Sequence, residues 1–500
     1  MTIHPDHHVA IIGAGPGGLA AAAWLRRQGF TPVLFEAAER PGGQWNAGSA
    51  MSGVWPGMRT NTSRVLTAFS DLDHDPGTAV YPTAVEMQAY LERYAARTGS
   101  AGAVRTSTRV DRLARAEGGR WAITSRRGGE TAVTEVFARV VVATGRQNTP
   151  VRPAIAGLES FGGAGGVIHA FDYNGAEAYR GQKVLVAGCS ISALEIASDL
   201  AMAGASGVTL ASRRQRYVLQ KLLAGVPADH LAFTRWAALA GEVLPPAALA
   251  AGMKDFVLKT SGSPEQFGAP RPHDDLFAAG LTQSQHYLPL VAEGRIRPRP
   301  WIAAIDRRCV TFADGQVEDI DAIVLATGYR LALPFIDPPD AATLGLGDGG
   351  IDLADHTFHP DIAGLAFLGL YDQIGPQLPV LELQARWIAY GWAGKAPLPD
   401  RSELRHGGSV PVTMHDMAIL FARRAGVEPM LAEWPELQRA LLFGPLSPVS
   451  FRLSGPDALA DAPARVAAAA AAFGAIDGPA MTADEAARWQ MVRDARLQAA

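Results

Sequence analysis

Gly13-Ala14-Gly15-Pro16-Gly17-Gly18 has the spacing that lets backbone, rather than side chain, meet a phosphate. The first glycine permits a tight turn. The second lets the main chain approach a pyrophosphate at the positive end of a helix, and the third lets that helix pack closely on the preceding strand. Glu36 falls at the end of the next apolar run, where a carboxylate can bind ribose hydroxyls. A second turn, Gly188-Cys189-Ser190-Ile191-Ser192-Ala193, repeats the pattern in altered form. Ser190 and Ala193 replace its second and third glycines; both are small, so close approach is strained but not blocked. Arg213 and Arg214 stand where Glu36 stands in the first copy. Exchanging an acid for guanidinium fits a ribose 2′-phosphate, which arginine can bind through two parallel hydrogen bonds, and favours NADPH over NADH. The alternative is a pair of arginines on a solvated strand end.

These residues need strands and helices to place them. Val9 to Ile12 is an all-apolar run that ends in glycine, as expected of a strand buried on both faces of a parallel sheet. Gly18 to Gln28 reads as a helix and Thr31 to Phe35 as a second strand, which completes a βαβ unit. The order recurs with a strand at Lys183 to Ala187, a helix at Ala193 to Ala203 and a strand at Val208 to Ala211. Two further apolar runs enter the same tripeptide, Ala143-Thr144-Gly145 and Ala326-Thr327-Gly328, with Thr144, Gly145, Thr327 and Gly328 as cofactor-contact candidates. The predicted fold class is α/β with two Rossmann-like dinucleotide-binding domains. One of them, at about 166–324, is inserted into the other, which is made of 1–165 and 325–500. Leu222 to Leu290 is expected to form a helical lid over the cofactor cleft. Met414 to Arg424 and Ala483 to Leu497 are expected as helices of a C-terminal extension that packs on the first domain.

Composition excludes several function classes. A net charge of -4 and the absence of long Lys/Arg runs argue against nucleic acid as a partner. The two cysteines, Cys189 and Cys309, form no C-x-x-C pair, so neither a disulfide scaffold nor a local redox dithiol is expected. The polar start is unlike a signal peptide, and no run of about 18 apolar residues could span a bilayer. The expected location is therefore the cytoplasm, with no membrane partner. His4, His7 and His8 read as a flexible N-terminal tail, and no metal-ligand spacing occurs elsewhere.

Several segments converge on one family. Gly42-Gly43-Gln44-Trp45, Arg59-Thr60-Asn61-Thr62-Ser63, Tyr81-Pro82-Thr83 leading into Tyr90-Leu91-Glu92-Arg93-Tyr94-Ala95, Ala326-Thr327-Gly328-Tyr329 and Gln384-Ala385-Arg386-Trp387 together resemble the flavin-containing monooxygenases, over the chain to about residue 395. The family's F-x-G-x-x-x-H-x-x-x-[F/Y] hallmark is altered. His169 and Tyr173 keep their mutual spacing, but Phe161 lies two residues too far upstream. The resemblance implies FAD on the first domain and NADPH on the second, with oxygen from dioxygen passing through a flavin hydroperoxide to a nucleophilic nitrogen or sulfur of a small molecule. Baeyer–Villiger relatives place Trp where Tyr173 stands, which favours N- or S-oxygenation modestly. By itself Asn61 reads as a turn residue. The resemblance makes it the catalytic candidate, a neutral amide able to donate to the oxygenated flavin, and puts Gln44 and Trp45 beside the flavin. His169 is implied to link the domains and support NADP rather than transfer protons. A peroxide-releasing NADPH oxidase or flavin reductase and a Baeyer–Villiger enzyme stay open as alternatives. A homodimer follows only from the resemblance.

Overall fold

The computed structural model describes residues 7–347, 350–405 and 411–499. Its architecture is mixed α/β, organised by two five-stranded sheets in which every pairing is parallel. The first runs Leu365–Phe367, Arg139–Val142, His8–Ile12, Thr31–Phe35, Val104–Arg105. The second runs Gly166–His169, Ala322–Leu325, Lys183–Ala187, Gly207–Ser212, Ile296–Pro300. Read in this direction the two sheets match strand for strand.

The central strands of both sheets are apolar throughout because both of their faces are covered. On one face of the first sheet lie the helices Pro16–Arg27 and Leu378–Trp392; on the other lies an antiparallel meander, Thr108–Arg115, Trp121–Arg127 and Val133–Phe137. The second sheet repeats the scheme with the helix Ile191–Ala203 and a meander of Ile302–Asp306, Cys309–Phe312 and Val317–Asp319. Neither meander was expected from the sequence. Proline at the first turn lets the helix Pro16–Arg27 begin two residues earlier than expected. The helix Ala84–Arg97 starts at a reciprocal capping box between Thr83 and Glu86.

The chain passes between the sheets twice, and the two passages pair with each other. Thr149–Pro150 lies antiparallel to Tyr329–Arg330. Residues 222–290, expected as a helical lid, also contain a small hairpin and the strand Leu281–Gln283, which pairs with Tyr217–Leu219. Within that stretch the helix Arg235–Val243 packs against the helices Met414–Arg424 and Ala483–Ala499.

The N-terminal histidines are not all a free tail. His8 opens the first strand, and His7 Nδ1 lies 3.3 Å from the Gly29 carbonyl oxygen; His4 lies outside the described residues. Among the described residues no group of three or more His, Cys, Asp or Glu could hold a metal, and no helix is long and apolar enough to cross a membrane.

Candidate functional site

The two glycine turns are built by the same backbone bonds. Gly13 N–H donates to the Phe35 carbonyl at 2.8 Å, and Gly188 N–H donates to that of Ala211 at 2.8 Å. Ala143 N–H donates to Ile12 and Ala326 N–H to Ala187, each at 2.9 Å. Each turn thus nests against an A-T-G segment. A Cβ at Gly13 would lie 2.6 Å from the Ala143 carbonyl oxygen, and one at Gly188 would lie 2.4 Å from that of Ala326. Both glycines have positive φ, +102° and +142°. Glycine is therefore required at each first position by conformation and by space.

In the first turn a Cβ at Gly18 would lie 2.0 Å from the Gly13 carbonyl oxygen, and one at Gly17 would lie 2.5 Å from the Leu368 side chain. A Cβ at Gly15 would lie 3.3 Å from Gly43 Cα, and Gly42 N–H donates to the Ala14 carbonyl at 2.9 Å, so the Gly42–Trp45 segment closes over the turn backbone to backbone. Glu36 is buried and accepts from Ala14 N–H at 2.8 Å and Ala38 N–H at 2.9 Å. The carboxylate therefore braces the turn itself, and its remaining lone pairs could take ribose hydroxyls. Trp45 is buried in the first core, whereas the Gln44 side chain is exposed. The Thr144 hydroxyl is buried without a partner among the described residues, beside Gly145 at φ +75°.

The second turn accommodates its departures from glycine. Ala193 is fully buried at the third position, and Ser190 caps the helix Ile191–Ala203 only through its backbone, which leaves its hydroxyl exposed and unused beside Ser192. Arg213 and Arg214 are exposed and form no ion pair among the described residues. The Arg213 guanidinium lies 4.8 Å from the centre of the Trp301 ring, and Arg214 Nη1 donates to the Ala278 carbonyl at 2.9 Å. Trp301 was not singled out from the sequence. Ser212 pairs with Pro300, and that register puts Trp301 level with Arg213. Burial pushes the Cys189 thiol up, away from thiolate chemistry. The Thr327 hydroxyl donates to the Val151 carbonyl and Gly328 accepts from Val151 N–H at 3.0 Å, so this A-T-G segment also ties the crossing passages together.

The segment carrying Asn61 runs between the two cores. Val54 belongs to the first core, Trp55 to the second, and Met58 packs on both. Trp55 meets Tyr173 edge-on at 5.4 Å, and the Tyr173 hydroxyl donates to Asp199 at 2.6 Å. His169 is buried; its Nδ1 accepts from Phe171 N–H at 3.0 Å and its ring packs edge-on against Tyr329 at 5.2 Å. Asn61 Oδ1 is buried with no hydrogen-bond partner among the described residues.

Two residues that the sequence reading missed hold this segment. Asp229 Oδ2 accepts from Ser63 N–H at 2.6 Å, and His230 Nε2 lies 3.0 Å from Ser63 Oγ. Asp229 Oδ1 and His230 Nδ1 are buried and have no hydrogen-bond partner among the described residues. Burial raises Asp229 to about 6 and lowers His230 to about 4. Both shifts oppose charge in a dry environment.

Asp229→Asn keeps an acceptor for Ser63 and removes a charge that is costly in the fold. A raised folded-state pKa contributes stability at low pH and loses it as pH rises through about 6. Relative to wild type, the variant is therefore expected to gain roughly 2–3 kcal/mol between pH 4 and pH 7. Unfolding of the two proteins measured in parallel at both pH values checks this, and a difference that does not change with pH would refute the buried-acid account.

The comparisons with known proteins agree with this geometry. A family model described as flavin-binding monooxygenase-like matches residues 6–407. Flavin-containing monooxygenase 5 of Cavia porcellus is 26% identical over 486 residues, covering 90% of this chain and 89% of its own. Among solved structures, S-allyl-L-cysteine S-oxygenase from Allium sativum aligns with a TM-score of 0.58 at 22% identity, over 98% of this chain and 93% of its own. NADP+-bound cyclohexanone monooxygenase from Rhodococcus sp. Phi1 aligns with a TM-score of 0.59 at 18% identity, over 77% and 84%. With two glycine turns on matched parallel sheets and a family match over most of its length, the chain belongs to the flavin-binding monooxygenase-like family, whose cofactors are FAD and NADPH.

Proposed function

We propose that this enzyme uses NADPH and dioxygen to place one oxygen atom on a nucleophilic nitrogen or sulfur of a small molecule, with the second oxygen atom leaving as water. NADPH supplies the two electrons that balance the reaction. In this reading FAD lies on the domain formed by 1–165 and 325–500, and NADPH on 166–324. The residues fit both groups, because each turn holds a positive-φ glycine and leads into a helix N-terminus with no side-chain cap, where backbone N–H groups can meet a pyrophosphate, and the second is followed by two guanidinium groups that form no ion pair among the described residues. FAD, when bound, accepts electrons from NADPH and supplies the oxygen-activating chemistry.

The chain's own residues bind, orient and shield. The Gly13–Gly18 turn and Glu36 would hold the FAD pyrophosphate and ribose, with Thr144 and Gly145 beside them. Gly188, Ser190 and Ser192 would hold the NADPH pyrophosphate, and Arg213 and Arg214 its 2′-phosphate. Gln44 and Trp45 would border the flavin, and Thr327 and Gly328 the passage between the cofactors.

One observation carries the reading: the half-buried Asn61 presents a buried amide oxygen with no hydrogen-bond partner among the described residues, on the segment that spans both cores. A neutral amide can bond oxygen species or substrate without adding charge, and such preorganised groups act most strongly where water is excluded. Tyr173, standing where Baeyer–Villiger relatives carry Trp, supports oxidation of nitrogen or sulfur.

Asn61→Ala is expected to accept electrons from NADPH at a near-normal rate while product per NADPH falls about tenfold or more and hydrogen peroxide rises. Anaerobic stopped-flow, with product and peroxide counted during turnover, separates the two effects. An unchanged product-to-peroxide ratio would remove Asn61 from catalysis, and a wild type that releases only peroxide from amines and thioethers alike would identify an oxidase instead.

A further inference from the structure

Side chains packed on the second sheet reach across to the segment that carries Asn61. Glu195, on the helix Ile191–Ala203 that follows the second glycine turn, accepts from Ser284 Oγ at 2.8 Å and pairs with Lys221 Nζ at 2.7 Å. The Lys221 carbonyl accepts from the Tyr81 hydroxyl and from Ala228 N–H, the latter at 2.8 Å. Ala228 opens the short helix Ala228–Ala232, so Asp229 and His230 are placed from the second sheet.

Asn61 sits between two kinds of anchor. Thr60 N–H donates to the Pro82 carbonyl at 2.9 Å and Arg64 N–H to that of Val80 at 2.8 Å, both close by in the chain. Ser63 is held instead by Asp229 and His230, 166 and 167 positions away. Asp229 is buried with no cation partner among the described residues. A carboxylate in that state is costly to the fold, and this one is spent on a backbone N–H two residues from Asn61.

Phe473 backs the pair from the C-terminal segment, past residue 407 where the family match ends. Its φ of +61° marks a non-glycine position overdetermined by its surroundings. The ring meets His230 edge-on at 5.2 Å, and the Arg64 guanidinium lies 5.0 Å from its centre. One ring therefore braces both a partner of Ser63 and the residue next to it.

We propose that Asp229 and His230 are positioning residues: reaching over from the second sheet and backed by Phe473, they fix Ser63 and so hold the Asn61 amide in the orientation its reaction needs. This rests on the reading of Asn61 given above. It makes the Asn61 site complete only while the two sheets stay in register, because the brace is referenced to one sheet and Thr60 to the other.

The test uses the full chain loaded with FAD and NADP+. Asp229→Ala removes the acceptor from Ser63 N–H, Asp229→Asn keeps it, and Phe473→Gly removes the ring while suiting the backbone. In Asp229→Ala, hydrogen exchange at the Ser63 amide is expected to rise about tenfold or more, as for loss of one hydrogen bond, while the helix Ala84–Arg97 stays protected. Asp229→Asn should stay near wild type. With thioanisole and N,N-dimethylaniline as probes, flavin reduction by NADPH should be near normal in all three variants. The product-to-peroxide ratio should fall about fivefold or more in Asp229→Ala and Phe473→Gly and be kept in Asp229→Asn. General loss of structure would slow reduction as well, and asparagine would not rescue it. If Asp229→Ala fails to hold flavin, Phe473→Gly carries the comparison. Unchanged exchange at Ser63 in Asp229→Ala, an Asp229→Asn as uncoupled as the alanine variant, or a wild-type ratio in Phe473→Gly would each overturn the proposal. A wild type that releases peroxide alone, with the expected exchange pattern, would leave the brace standing and remove the monooxygenase reading. Product formed as well by Asp229→Ala as by wild type would do the reverse.

Discussion

Gly15→Val is expected to give a colourless protein. A Cβ at Gly15 already approaches Gly43 Cα to 3.3 Å, tighter than ordinary contact, and the branches of valine need still more space. Gly43 has little room to retreat, because its own segment is tied by the bond from Gly42 N–H to the Ala14 carbonyl at 2.9 Å. The branches would therefore project in front of the helix Pro16–Arg27, where unpaired N–H groups and the helix dipole favour a pyrophosphate. Gly102→Val is the control, since nothing lies within 4 Å of a Cβ there. The visible flavin spectrum per mole of protein is the measurement. Full flavin in Gly15→Val would show that the first turn is not the FAD site, whereas loss of flavin in both variants would point to general instability.

The second large effect is expected at the opposite cofactor. Arg213→Ala or Arg214→Ala should weaken NADPH by about 10- to 100-fold and leave NADH little changed, because a hydrogen bond to a charged group contributes roughly 1.5–3 kcal/mol. Among the described residues neither side chain has a carboxylate partner to abandon on binding a phosphate. Arg213 is already held against Trp301 and Arg214 against the Ala278 carbonyl, so less freedom is lost on binding. Stopped-flow flavin reduction against each nucleotide measures the change. A wild type that prefers NADH, or variants that keep the original preference, would remove these arginines from 2′-phosphate recognition.

What the sequence disclosed follows from how far each signal reaches. The two glycine turns, the strands ahead of them and both A-T-G segments are contiguous motifs, and the fold keeps all of them beside the ends of parallel strands. The meander strand Thr108–Arg115 escaped notice because a register shift between Val110 and Arg112 breaks the two-residue alternation that marks a half-buried strand. The alanine-rich apolar run of residues 467–473 has the composition of one helix, yet the helix ends at Ala471 and Phe473 turns its ring onto His230. Asp229 and Ser63 are 166 positions apart, and no local pattern announces their bond. Trp301 became interpretable only once the pairing of Ser212 with Pro300 set its height against Arg213.

The matched order of the two sheets also has a consequence for synthesis on the ribosome. The outer strand of the second sheet, Gly166–His169, precedes its partners, whereas that of the first, Leu365–Phe367, follows everything else in both sheets. The edge of Arg139–Val142 therefore waits for Leu365–Phe367 while residues 143 to 365, 223 positions, are translated. At about 5–20 residues per second this takes roughly 10–45 s. During that interval Val140, Val141 and Val142 present an unpaired apolar edge of the kind that recruits other strands. The second sheet can therefore close before the first, whose edge at Arg139–Val142 is paired only when Leu365–Phe367 arrives.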